Sequence, residues 1–127
     1  MSIRRQLLVA CLLTIVPVMG CGRALNLPTW SPGPNAGLPG ALIEGTLLFE
    51  DACFWISRSG TSADRVALLW PPGTTAVLDP PRVLDAGGSV IAQAGRRLEI
   101  GGGFVEMAAP GCATGGAWLV GEIIEDR

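Results

Sequence analysis

Ala41-Leu42-Ile43-Glu44-Gly45-Thr46-Leu47-Leu48-Phe49-Glu50-Asp51-Ala52-Cys53-Phe54-Trp55-Ile56-Ser57 is the stretch that decides the fold. Aliphatic and aromatic residues fill two runs, 41–50 and 52–57, with a polar break at Glu50-Asp51 between them. Two such runs around a short break read as a β-hairpin. No stretch of useful length after it shows the apolar spacing of an amphipathic helix. Instead, short β-like runs recur between turn signals: 65–70, 76–78, 82–85, 89–93, 97–100, 104–107 and 118–124. Pro71-Pro72-Gly73 ends one of them, because proline cannot continue a central strand. Ala86-Gly87-Gly88 marks a tight turn, where glycine adopts positive φ without steric cost. Gly101-Gly102-Gly103 predicts a bend or bulge in a strongly curved strand. Many short strands with such corners predict an all-β domain, a small five- to six-stranded, partly closed OB-like barrel over 41–127.

Upstream of this domain the composition changes twice. Residues 22–40 are rich in Pro and Gly and carry no apolar periodicity, so 21–40 reads as a tether. Trp30 is the one aromatic side chain in it, and either docks on the domain or lies at a lipid interface. Before that, Arg4 and Arg5 precede an apolar run from Leu7 to Met19 that ends in small residues. Charge, apolar core and small-residue cleavage site are the three parts of a signal peptide, here 1–20. The run is too short to span a bilayer, which needs about 20 apolar residues.

Val18-Met19-Gly20-Cys21 resembles the lipobox of bacterial lipoproteins, with Val18, Gly20 and Cys21 on the pattern. The resemblance implies cleavage between Gly20 and Cys21 and lipidation of the Cys21 thiol by a diacylglyceryl group. Two acyl chains anchor a protein firmly, at about 0.8 kcal/mol per buried methylene, where one is marginal. The expected location is therefore extracytoplasmic, on the cell membrane through lipidated Cys21. Arg4-Arg5-Gln6-Leu7-Leu8 also resembles a twin-arginine export motif, although two arginines in a positive n-region explain it as well. Gly45-Thr46-Leu47, Cys53, Trp70-Pro71-Pro72-Gly73 and the Gly101 to Gly103 bend together resemble small bacterial lipoproteins with uncharacterised β-barrel domains. That likeness covers 42–124 and implies a fold and a location, with no activity or catalytic residue to carry over.

Charge narrows the function classes. The 127 residues hold nine arginines, no lysine and eleven acids, and two arginines precede Cys21 with no acid beside them. The remainder therefore balances seven arginines against eleven acids, a net charge of −4. An acidic body without clustered cations argues against a nucleic-acid partner.

Cysteines other than Cys21 and Cys11, which lies in the leader, are Cys53 and Cys112. An even pair in an oxidising compartment reads as a disulfide, with two buried free thiols as the alternative. Closing 59 positions is worth about 4 kcal/mol at most by chain entropy. Histidine is absent, so a Ser-His-Asp triad is excluded, and two cysteines cannot complete a zinc site. No metal or other cofactor is expected, and no catalytic residue. Ser57, Ser59, Thr61 and Ser62 beside Arg58 read as a solvated loop. Trp70, next to the proline turn, reads first as a plug for the end of the barrel. Together with Arg58, Thr74 and Thr75 it is also the best candidate for ligand contact. Trp55 and Trp118 sit among aliphatics and are expected in the core. The expected function is a non-catalytic binding module for an envelope protein or small ligand. A structural subunit of an envelope complex is the first alternative, and a hydrolase using two facing carboxylates the second.

Overall fold

The computed structural model describes residues 24–31 and 40–124. Those residues form an all-β structure with one 3-10 turn at Ser62–Asp64 and no α-helix. In chain order the strands are β1 (Ala24–Leu25), β2 (Ala41–Glu50), β3 (Cys53–Ser57), β4 (Arg65–Leu69) and β5 (Thr75–Val77). They continue with β6 (Arg82–Leu84), β7 (Val90–Gln93), β8 (Arg97–Val105) and β9 (Ala117–Ile124).

The expected hairpin is β2–β3, paired from Thr46↔Ser57 to Glu50↔Cys53. Its two turn residues, Asp51 and Ala52, both have positive φ, 54° and 61°. Two left-handed residues in a two-residue loop match the twist of the flanking strands. Asp tolerates that conformation, whereas Ala at position 52 is strained. Gly45 makes a close crossing on β2: a Cβ there would stand 2.5 Å from the Ser57 carbonyl oxygen.

Five strands bond into a closed ring in the order β2-β3-β4-β9-β8. Every contact in it is antiparallel except β4–β9, which pairs in parallel at Leu68↔Trp118 and Leu69↔Leu119. The Gly101 to Gly103 run does not separate two strands. It lies inside β8, where the register against β9 shifts between Gly101 and Gly102. Gly102 adopts φ +144°, a conformation side chains rarely allow, so the glycines mark the bulge by which one long strand turns the corner.

The remaining strands form a second sheet, β1-β5-β6-β7, not anticipated as a separate layer. Ala76, Val83 and Ala92 from its middle join Leu47, Phe54, Ile56, Leu68, Ile100 and Val120 of the ring in one hydrophobic core. The small sheet thus caps the ring. Trp70 stands at the handover from β4 to this cap and is fully buried in the same core. A second cluster lies on the opposite face of β3 and β4, where Cys53, Trp55, Ala67 and Leu69 meet Ala109 and Ala117.

Of the stretch read as a tether, residues 24–31 run along the domain. Ala24-Leu25-Asn26-Leu27 alternates exposed and half-buried positions, with Leu25 and Leu27 packed on the core. Trp30 packs on the second cluster, and its indole Nε1 donates to the Val120 carbonyl at 2.9 Å. Of its two open placements, docking on the domain is the one observed. Residues 32–39 lie outside the described residues.

Candidate functional site

The loops expected to contact a ligand lie at opposite ends of the β3–β4 hairpin. Arg58 follows Ser57, which pairs with Arg65 at the start of β4. Trp70 is five residues further along, about 16 Å at 3.3 Å per residue. Trp70 cannot form a binding wall, because its side chain is 0% exposed and meets Phe54 edge-on at 6.2 Å. Burying the largest side chain available fills the junction between ring and cap. Its Nε1, like that of Trp118, has no hydrogen-bond partner among the described residues. Thr74 is 8% exposed, and its backbone N–H donates to the Pro71 carbonyl. Thr75 is exposed on β5. Trp55 and Trp118 are buried, as expected of core residues.

Arg58 is exposed and lines a shallow cavity of about 380 Å³ with Leu42, Glu44, Arg97 and Glu99. Glu44 and Glu99 are directly opposed on β2 and β8. Like charges in that register repel, and Arg97 offsets this from 3.6 Å on Glu44. Both partners of that ion pair are more than half exposed, so it contributes little to stability.

The serine-rich loop is organised by one carboxylate. Asp64 accepts from the Ser57 and Ser59 hydroxyls at 2.5 and 2.8 Å and from the Ser59 N–H at 3.1 Å. These bonds, led by the Ser57 hydroxyl, hold Asp64 below the usual carboxylate range. Ser57 is itself fully buried and accepts from the Gly60 and Thr61 N–H groups. Its hydroxyl is committed to closing the loop.

Cys53 and Cys112 are joined by a disulfide, with Cα atoms 5.9 Å apart. It ties β3 to the loop between β8 and β9. Nearby, the Arg65 guanidinium lies 3.8 Å over the Trp55 ring and pairs with Glu50 at 2.8 Å and Asp51 at 3.0 Å. The hydrogen bond that Arg65 donates to Glu50 above all raises the Arg65 pKa further. These contacts fix the turn between β2 and β3 against β4.

A groove of about 450 Å³ runs between the cap and the ring, a feature the sequence reading did not locate. Val90, Ile91, Ala92 and Gln93 of β7 form one wall, and Val120 to Ile123 of β9 the other. Leu98 and Val120 are buried at its floor, while Arg96 and Glu122 are exposed at its rim. Pro71, beside Trp70, closes one part. β7 is the last strand of its sheet, and β9 pairs with β4 only as far as Leu119. Among the described residues both walls are therefore strand edges, with the Val120 carbonyl already taken by the Trp30 indole. Backbone N–H and C=O groups along such edges can accept another strand.

Among the described residues no three Cys, Asp or Glu side chains come together to hold a metal ion. No helix among them is long and apolar enough to cross a membrane. Gly20 and Cys21 lie outside the described residues. No family model, no curated protein and no solved structure matches the chain.

Proposed function

We propose that this protein is a lipid-anchored, non-catalytic envelope protein whose OB-like domain binds an extended segment of a partner protein in the β7–β9 groove. The lipobox-like Val18-Met19-Gly20-Cys21 supports the anchor. The ring order supports the OB-like reading: its first strand bonds to the second and fourth, and its third runs parallel to its fifth. In place of a helix between the third and fourth ring strands, this chain inserts the β5-β6-β7 cap.

The observation that carries the binding role is the groove itself, with an apolar floor and two strand edges for walls. Strand addition draws affinity from main-chain hydrogen bonds and specificity from alternate side chains. Apolar side chains of the segment would sit on Leu98 and Val120, and its polar ones between Arg96 and Glu122. A structural-subunit role is the second reading, favoured by the exposure of Leu42 (58%) and Phe104 (58%) on the ring and of Met107 (48%) in the loop after β8.

Photo-crosslinkers placed at Val90 or Phe104 of the full chain in native membranes separate the two. Groove binding predicts one discrete adduct from position 90, lost when Gln93→Trp, at a half-buried polar position of the same wall, fills the groove. No adduct at 90 with a strong one at 104 would discard the groove and support the subunit role.

A further inference from the structure

We infer that the domain is seated directly on the bilayer, through the turn at residues 78–81, with the disulfide-bonded loop pointing away. This rests on the reading that Cys21 carries the lipid. The argument comes from where the folded chain begins. Ala24 pairs with Val77 and Leu25 with Ala76, so the third and fourth residues after Cys21 are already bonded to β5. Three residues span at most about 11 Å. A free tether of about 20 residues would instead allow on the order of 25 Å. The acyl chains start at Cys21, so headgroups lie within about 11 Å of this end of the cap, a distance close to the Debye length of about 8 to 10 Å.

The segment is not held by β1 alone. Leu25 and Leu27 pack on the core, Trp30 N–H donates to the Trp70 carbonyl, Trp70 N–H to the Pro28 carbonyl, and the Trp30 indole to Val120. Peeling it away to lengthen the tether would expose two leucines and break three hydrogen bonds.

The part of the domain beside Val77 is the turn at 78–81. It presents exposed Asp79 and Pro80, with half-buried Leu78 behind them. The Arg82 guanidinium reaches back to the Pro80 carbonyl at 3.3 Å, which puts a cation where lipid phosphates would lie. From Ala24 the chain runs six residues, up to about 20 Å, before Trp30 meets the cluster containing Cys112. The disulfide-bonded loop thus adjoins the Trp30 end of this segment, the end further along the chain from Cys21. β7 lies three strand spacings from β1 across the cap, about 14 Å, with its Gln93 end beside Arg82 and its Val90 end running away from the turn.

The test uses the full chain in phosphatidylethanolamine/phosphatidylglycerol vesicles, with a fluorophore-bearing amino acid at position 79, 82 or 114 and nitroxide quencher on the lipid headgroups. Quenching at 79 and 82 should exceed that at 114 at least threefold. Twenty Gly/Ser residues inserted between Cys21 and Ala24 should remove the difference. Mass spectrometry of the N-terminal peptide reads acylation independently. An acylated Cys21 with equal quenching at all three positions overturns the seating and leaves the anchor standing. An unmodified residue 21 overturns both.

Discussion

Replacing Gly102 by alanine tests the bulge on which ring closure depends. Gly102 has φ +144°, and a Cβ there would fall inside the contact distance of the Leu119 carbonyl oxygen, with Gly121 N also crowded at 3.1 Å. Holding a side chain in a glycine-only conformation costs about 1 to 3 kcal/mol. Overpacking against a neighbour costs a further 1 to 3 kcal/mol, and backbone yields less readily than a flexible side chain. The loss should be about 4 kcal/mol, a large part of the roughly 5 to 15 kcal/mol that stabilises a domain this size. In urea, with m of about 2 kcal/mol/M, the midpoint should fall by about 2 M at unchanged m. Gly101→Ala is the matched control. Its Cβ would meet Glu122 at 3.7 Å, an ordinary contact, and should shift the midpoint by under about 0.5 M. If both variants unfold at the same urea concentration, the corner of β8 is not where the register shift places it.

Ala52→Gly should stabilise the protein by about 0.5 to 1 kcal/mol, seen as a rise of a few degrees in Tm, because it relieves a left-handed alanine in the β2–β3 turn. Reducing the Cys53–Cys112 disulfide, or replacing both cysteines by serine, should cost up to about 4 kcal/mol, read as the gap between urea midpoints with and without reductant. Trp70→Ala should cost about 3 to 5 kcal/mol, whereas Trp70→Phe should cost well under half of that, since the indole N–H it removes has no partner among the described residues. The Asp64 pKa is lower folded than unfolded, so its contribution is full above the unfolded value of about 3.9 and disappears as pH falls through the folded one. Asp64→Asn should therefore flatten the stability profile below about pH 4, and an unchanged acid limb in urea titrations would mean that the Ser57 and Ser59 bonds do not form in solution.

What could be read from the letters was local. The β2–β3 hairpin, the strand ends at Pro71 and Pro80, and the corner at Gly101 to Gly103 follow from side-chain alternation and from residues that restrict or free the backbone. The Cys53–Cys112 bond followed from counting cysteines. Trp70 as a plug followed from a bulky apolar side chain beside a strand terminator, and its burial excludes the ligand-contact reading made for the same residue. What stayed hidden was non-local. Nothing in 75–93 announces that its three short strands leave the ring for a sheet of their own, since a strand's partners are not written in its own residues. Ala24-Leu25-Asn26-Leu27 did carry an alternation, but four residues amid prolines and glycines read as tether. The groove was out of reach, because its walls lie about 30 positions apart and meet only through the fold.

Trp70 explains why the groove and not the proline turn is the surface to follow. Three structures converge on its backbone and ring: the end of β4, the N-terminal segment through Pro28 and Trp30, and the core shared with the cap. A residue so fully engaged cannot also serve a ligand, but it sets how the cap sits on the ring. The distance between the β7 and β9 edges depends on that seating, since one edge belongs to each sheet. A segment bound between them would bridge the two sheets and add to the same junction that Trp70 secures. If the groove holds a segment as proposed, loosening Trp70 should weaken binding and cap stability together, although its buried side chain would not touch that segment.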